Sequence, residues 1–271
     1  VLNNNGVIAI DMDENKEYVI LGKGVGFGKK VSQRFDKPEG CTTYRLEQET
    51  ERGSAKELVK GIEPEYLEIA DAILTESQKV FGDSIDRGIL FPLADHISFA
   101  VARIRRNEQI SNPLTEDIKV LFYSEFKVAE TLKTILRERL QIEIDDHEVG
   151  YVALHIHSAI GDEKVSVAMQ TARAVRECID MIEKATGKPI DVLSLSYNRL
   201  MNHMKYMVAR ASTGEKLNLD MNEYMLDQYP QAYKVATDIC KNLEGCIGHN
   251  LDETETGYLA MHIQRVYKDA V

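Results

Sequence analysis

Four histidines superimpose under a single shift of 107 residues. His96, in Ala94-Asp-His-Ile-Ser-Phe-Ala-Val-Ala-Arg103, falls on His203, in Met201-Asn-His-Met-Lys-Tyr-Met-Val-Ala-Arg210. His155, in Gly150-Tyr-Val-Ala-Leu-His-Ile156, falls on His262, in Gly257-Tyr-Leu-Ala-Met-His-Ile263. His147, His157 and His249 lie outside this pattern. An imidazole can ligate a metal, shuttle a proton or accept a phosphoryl group as a nucleophile. A metal would want acidic or thiolate company; His155 and His157 offer a superficial pair, but Gln264 stands where His157 would repeat. General acid–base catalysis would bring a nucleophile or paired carboxylates at diagnostic spacing, and no such motif is present. Phosphoryl acceptance asks only for an accessible ring and a docking partner. A single histidine of this kind is more often a packed core residue, but packing alone rarely requires the same titratable ring twice in each of two copies.

Arg103 and Arg210 each follow a histidine by seven residues, on the same helix face and about 10 Å along the axis. Either guanidinium could help to hold a phosphate on its imidazole. Asp145-Asp-His-Glu148 and Asp252-Glu-Thr-Glu255 each supply an Asp to cap a helix and a Glu three residues on to reach back to the cap. Counted from those caps, His155 and His262 fall mid-helix on or beside the apolar stripe. Gly150 and Gly257 lie in the same helices at about 1 kcal/mol each relative to Ala, so a neighbouring backbone must come close there.

The elements that position these residues are helical from about residue 64 onward. Ile69, Ile73 and Val80, then Leu93, Ile97, Ala100 and Ile104, recur at three- and four-residue intervals. The first helix of each copy, near 64–82 and 170–186, is slightly out of register. Residues 47–63 are polar and charged and read as a linker or a solvated helix start. Before them, Gly6–Ile10, Tyr18–Leu21 and Thr42–Leu46 read as strands, with Asp11–Lys16 as a hairpin turn. About fifty residues bury too little surface for comfort, so the sheet is expected to pair with a second copy of itself. The expected fold is mainly α: two tandem homologous helical-bundle modules, 56–166 and 167–271, preceded by a small antiparallel all-β domain, 1–55.

A net charge of −11 over 271 residues argues against a surface that binds nucleic acid throughout. Locally the balance reverses. Between residues 21 and 37, Lys23, Lys29, Lys30, Arg34 and Lys37 face the single anion Asp36. Gly22-Lys-Gly-Val-Gly-Phe-Gly-Lys-Lys30 lacks the Gly-Lys-Ser/Thr ending of a phosphate-binding P-loop. A basic, glycine-rich edge with Phe27 for stacking suits RNA, and Asn3, Asn4 and Asn5 could read base edges or, equally, form a turn. Cys41, Cys178, Cys240 and Cys246 form no CxxC pair and read as reduced thiols of a cytoplasmic protein. No apolar run approaches the roughly 18 residues of a membrane helix, Val1-Leu-Asn-Asn-Asn5 is no signal peptide, and an initiator Met with a few residues is expected upstream.

Leu2-Asn-Asn-Asn5, Gly22–Lys30 and the two histidine modules, in that order, resemble the BglG-type transcriptional antiterminators of bacterial sugar operons end to end. The glycine run leans towards the glucose-responsive branch. The resemblance implies a dimeric amino-terminal domain that binds an RNA antiterminator hairpin and prevents terminator formation. It also implies two regulation domains phosphorylated on histidine by the phosphocarrier protein and a sugar-specific permease of the phosphotransferase system. Carried over by position, Asn3, Asn5, Gly22, Lys23 and Phe27 would contact RNA, supported by Gly24, Gly26, Lys29 and Lys30. Lys23 stands where many members carry Arg, a point charge in place of a planar fork. The phosphoacceptors would be His96, His155, His203 and His262. No cofactor, metal or membrane insertion is implied. Two competing readings remain: a metal-dependent helical phosphohydrolase using His96, His155 and His157, and a helical interaction protein with structural histidines.

Overall fold

The computed structural model describes residues 1–12, 16–46, 49–50, 53–108, 110–161, 164–191 and 194–269. At the amino terminus, β1 (Gly6–Asp11), β2 (Lys16–Leu21) and β3 (Thr42–Arg45) form an antiparallel sheet in the order β1-β2-β3. Val7 pairs with Ile20 and Val19 with Tyr44. Alternation sends Val7 and Ile20 to one face, where they cluster with Val25, Ala9, Phe35 and Cys41. Val19, Leu21 and Tyr44 are buried on the other face. All three expected strands are present; the tip of the hairpin turn lies outside the described residues.

Short strands β4 (Glu49–Thr50) and β5 (Gly53–Ser54) lead into α1 (Ala55–Gly61). Ala55 and Val59, one turn apart, are buried, so this stretch is not the linker or solvated helix start that its charge suggested. Ala55, Leu58, Val59 and Ile62 stand at i, i+3, i+4 and i+7, an apolar face that α3 packs against.

The helices that follow are α2 (Pro64–Phe81), α3 (Leu90–Arg105), α4 (Thr115–Leu121), α5 (Tyr123–Ala129), α6 (Thr131–Leu140) and α7 (Asp146–Gly161). The second copy contributes α8 (Val165–Thr186), α9 (Leu195–Thr213), α10 (Asn222–Gln228), α11 (Pro230–Ile247) and α12 (Thr254–Asp269). Local chemistry sets several starts. Pro64 and Pro230 open α2 and α11 where no intrahelical N–H is needed, and the Ser194 side chain caps α9 by accepting from the Tyr197 N–H. Shifted by 107, α4 lands on α10, and α5 with α6 lands on α11, which runs on without the break at Glu130.

The chain forms two compact units. One is Val1–Asn112 with Ser124–Val165, the other Pro113–Tyr123 with Ser166–Val271. In the first, α3 packs on α1, α2 and α7. The sheet joins it through Tyr44, whose ring meets Phe91 edge-on at 6.4 Å and whose hydroxyl donates to Asp71 of α2. Arg87 Nη2 lies 2.8 Å from both that carboxylate and the Tyr44 oxygen. In the second unit, α12 packs on α9, α10 and α11, while α4 packs on α9 with Ile118 and Leu121 buried. Tyr197 donates to Asp117 of α4 at 3.2 Å. Among the described residues, no helix is long and apolar enough to cross a membrane.

Candidate functional site

In the first unit the packing of α3 on α7 brings His96 and His155 together, with ring centroids 5.3 Å apart and both side chains buried. Tyr151, one turn before His155, has its ring 5.7 Å from His96. Arg103 does not stand free beside the rings. Its Nη2 donates to Glu148 Oε1 at 2.9 Å, and Glu148 Oε2 lies 3.5 Å from His96 Nε2.

The second unit repeats the arrangement. His203 on α9 and His262 on α12 stack at 4.8 Å, and Tyr258 lies 6.2 Å from His203. Arg210 makes a two-pronged pair with Glu255, at 2.6 and 2.9 Å, and Glu255 Oε2 is 3.7 Å from His203 Nε2. Each site therefore consists of two histidines, a tyrosine, an arginine and a glutamate, every one in the 107 register. The glutamates are what sequence reasoning missed. It read them as the reach-back half of a capping box, but only the Asp half forms: Asp145 accepts from the His147 and Glu148 N–H groups, and Asp252 from the Thr254 N–H. Glu148 and Glu255 turn to the arginines instead. Asking which charged residues repeat along with the histidines would have found them.

Burial sets the charge state of the second pair. It pushes His203 down to about 3, aided by His262 and Arg210, and His262 down to about 4, aided by Arg265 and Arg199. Both rings are neutral at pH 7 and so keep a lone pair for nucleophilic attack. For Glu148, burial works to raise the carboxyl, but His96 and Arg103 outweigh it and hold it below the usual carboxylate range. Among the described residues, His203 Nε2 and His262 Nδ1 are buried without a hydrogen-bond partner, and His96 Nε2 has only its 3.5 Å approach to Glu148, an arrangement that packing alone does not favour.

Gly257 carries the close approach expected of it. A Cβ there would meet Asn222 N and Met221 C at 2.8 Å, where the start of α10 crosses α12. His157 is turned to Glu125, Nδ1 to Oε1 at 2.9 Å. Among the described residues, no group of three or more His, Cys, Asp or Glu is placed to hold a metal ion.

At the amino terminus, alternate glycines serve two needs. Gly24 and Gly28 adopt φ of 73° and 69°, a region that L side chains rarely occupy. A Cβ at Gly26 would sit 2.0 Å from the Asn3 carbonyl oxygen, and one at Gly22 would sit 2.3 Å from Cys41 Sγ. The loop so formed buries Val25 and exposes Lys23, Lys30 and Phe27, the last at 75%. Lys29 is partly engaged, its ammonium 4.4 Å from the Phe35 ring centroid. The Asn run forms a turn tied to this loop: Gly22 N donates to Asn5 O, Gly26 N to Asn4 O, and Gly24 N to Asn5 Oδ1, each at 2.9 Å. The Asn3 and Asn5 amide nitrogens donate to Glu68 of α2 at 2.7 and 3.1 Å, a partner that the sequence did not suggest.

A small sheet carrying a basic loop, followed by duplicated helical modules with paired histidines, defines a regulator that binds nucleic acid. Residues 1–53 match the CAT RNA binding domain, and residues 71–159 and 176–266 each match the PRD domain. The chain belongs to the family of transcription antiterminators built from these domains, which are regulators and not enzymes. It is 30% identical over 268 residues to the GlcA/glcB genes antiterminator of Staphylococcus carnosus (strain TM300), covering 97% of this chain and 92% of that one. It is 27% identical over 274 residues to transcription antiterminator LicT of Bacillus subtilis (strain 168), covering 100% and 98%. The crystal structure of GlcT CAT-PRDI aligns with a TM-score of 0.51 at 29% identity, over 59% of this chain and 95% of that one. These matches bear out the resemblance and the lean of the glycine run towards the GlcT branch. They leave no place for the phosphohydrolase reading.

Proposed function

We propose that this chain binds an RNA hairpin in a nascent transcript as a homodimer in the cytoplasm, and that holding the hairpin keeps a terminator from forming. The domains would be 1–55 for RNA and 56–166 and 167–271 for regulation. Asn3, Asn5, Gly22, Lys23, Gly24, Gly26, Phe27, Lys29 and Lys30 form the RNA surface. His96, His155, His203 and His262 accept phosphoryl groups from the phosphocarrier protein and a sugar-specific permease of the phosphotransferase system. The observation that carries the reading is the repeated arrangement of paired histidines, arginine and glutamate. Packing rarely calls for two adjacent titratable rings, and here such a pair occurs twice.

The chemistry follows from the geometry. Once the buried pair is uncovered to the donor, a neutral ring nitrogen attacks the donor's phosphorus, the new N–P bond forms, and the donor's bond to phosphorus breaks. The phosphoryl brings up to two negative charges to a place that already holds a carboxylate. Like unit charges about 4 Å apart repel by roughly 1 to 4 kcal/mol in water or near a protein surface. Arg103 or Arg210 is then drawn from its glutamate to the phosphoryl oxygens, and the local pair opens. Support for dimerisation comes from β1, where Ile8 and Ile10 are exposed at alternate positions on one edge strand, with exposed Met12 just past its end.

Phosphorylation by the purified phosphocarrier system, read by mass spectrometry of acid-labile phosphohistidine, should mark the four histidines and spare His147, His157 and His249. His96→Asp with His155→Asp should lower read-through of a terminator reporter. Unchanged read-through would remove the first module from the regulatory assignment.

A further inference from the structure

We propose that Glu68 belongs to the RNA-binding site as an internal competitor, its carboxylate holding the Asn3 and Asn5 side-chain donors that RNA must take, and so sets the affinity of the chain for its hairpin. This rests on the reading that Asn3 and Asn5 contact RNA.

The hydrogen bonds leave little choice of orientation. Asn3 Oδ1 accepts from the Asn5 N–H at 2.8 Å and Asn5 Oδ1 accepts from the Gly24 N–H at 2.9 Å, so both side-chain oxygens are committed to the loop. What remains for recognition is the pair of amide nitrogens, and each donates to one oxygen of the same carboxylate, at 2.7 and 3.1 Å. A carboxylate that takes two donors at once offers them what a phosphate, a 2′-hydroxyl or a base carbonyl would offer. Each amide nitrogen keeps a second N–H, but RNA brings negative charge of its own, so Glu68 opposes its approach to the pair until the carboxylate moves aside.

The competitor is held in position by the regulatory module. Glu68, Asp71 and Thr75 lie at i, i+3 and i+7 on α2 and share a face. Asp71 takes the Tyr44 hydroxyl of β3, and Arg87 reaches Thr75 Oγ1 at 3.4 Å, so the same face of α2 meets the sheet at a second point. On the helical side, Arg139 of α6 stands 3.8 Å from Glu68 Oε2. A displaced carboxylate can move to that guanidinium without losing an ionic partner. α2 packs on α3, which carries His96, so the helix that lends the competitor also borders the first histidine pair. Were Glu68 instead a positioner of the amides, neutralising it would weaken RNA binding; the two roles predict opposite signs.

The test uses the whole chain. RNA ligands are enriched from a randomised stem–loop library on both the unsubstituted and the Glu68→Gln chains, and fluorescence anisotropy then gives Kd for Glu68→Gln, Glu68→Ala, Glu65→Gln and Phe27→Ala. Glu65→Gln removes the same charge from the same helix without touching the asparagines. Both Glu68 variants should bind about tenfold more tightly, the scale of a lost charge-assisted contact, with Glu65→Gln near the unsubstituted value. Unchanged or weaker binding by both Glu68 variants overturns the proposal, as does an equal gain from Glu65→Gln, which would mean general charge repulsion. If neither chain enriches RNA, or Phe27→Ala binds as tightly as the unsubstituted chain, the RNA surface itself is misassigned, a separate failure.

Discussion

A histidine in an unfolded chain titrates near pH 6.5, whereas burial against His262 and Arg210 holds folded His203 to about 3. Between those values the unfolded chain binds a proton that the folded chain refuses. Stability rises with pH wherever the unfolded state binds more protons, so this contribution is constant above about pH 6.5 and is lost as pH falls towards 3. His203 faces His262, Tyr258, Arg210 and Glu255, and His262 adds a loss of the same sign. Thermal unfolding of the second unit should drop between pH 7 and pH 5, and His203→Gln should make that fall shallower; equal slopes would refute the burial argument. The histidines themselves were legible as residues because one shift maps each onto its partner. Glu148 and Glu255 were not, because a local capping motif accounts for them equally well. Only the 2.9 and 2.6 Å contacts to Arg103 and Arg210 decide between the two.

Helix positions that look alike in sequence differ in what lies across from them. Gly245 in α11 is exposed with nothing within 4 Å of a would-be Cβ, whereas Gly257 in α12 abuts the start of α10 at 2.8 Å. Gly245→Ala should stabilise the second unit by up to about 1 kcal/mol, the helix-propensity difference. Gly257→Ala should cost about 1 to 3 kcal/mol, because backbone must shift to admit the methyl. Chemical denaturation of both variants checks the pair, and a stabilising Gly257→Ala would mean that α10 does not rest there. The strands of the small sheet were legible from alternation, and most helices from their three- and four-residue spacing. α1 was legible too and was passed over: Ala55, Leu58, Val59 and Ile62 stand at i, i+3, i+4 and i+7, but the charged residues between them drew the stretch to a linker or solvated helix start.

For the molecule as a whole, the exposed row on β1 bears on assembly. Ile10 is 55% exposed, so Ile10→Lys should leave the fold of the chain intact. A charge on a self-pairing edge opposes association, so sedimentation should find the variant monomeric and weakened in RNA binding. A dimeric Ile10→Lys would move the interface elsewhere. The sequence by itself determined the duplication, the strand and helix pattern, the basic loop and the four repeated histidines that we propose as phosphoryl acceptors. These follow from spacing, and spacing encodes which face of an element is buried. It does not encode what covers that face. Only the tertiary structure assigned residues 113–123 of the first copy to the second compact unit, tied Arg103 and Arg210 to glutamates 45 residues away, and set Glu68 on Asn3 and Asn5 from 65 and 63 residues distant. Contacts at such separations depend on how whole elements pack, so no local pattern records them.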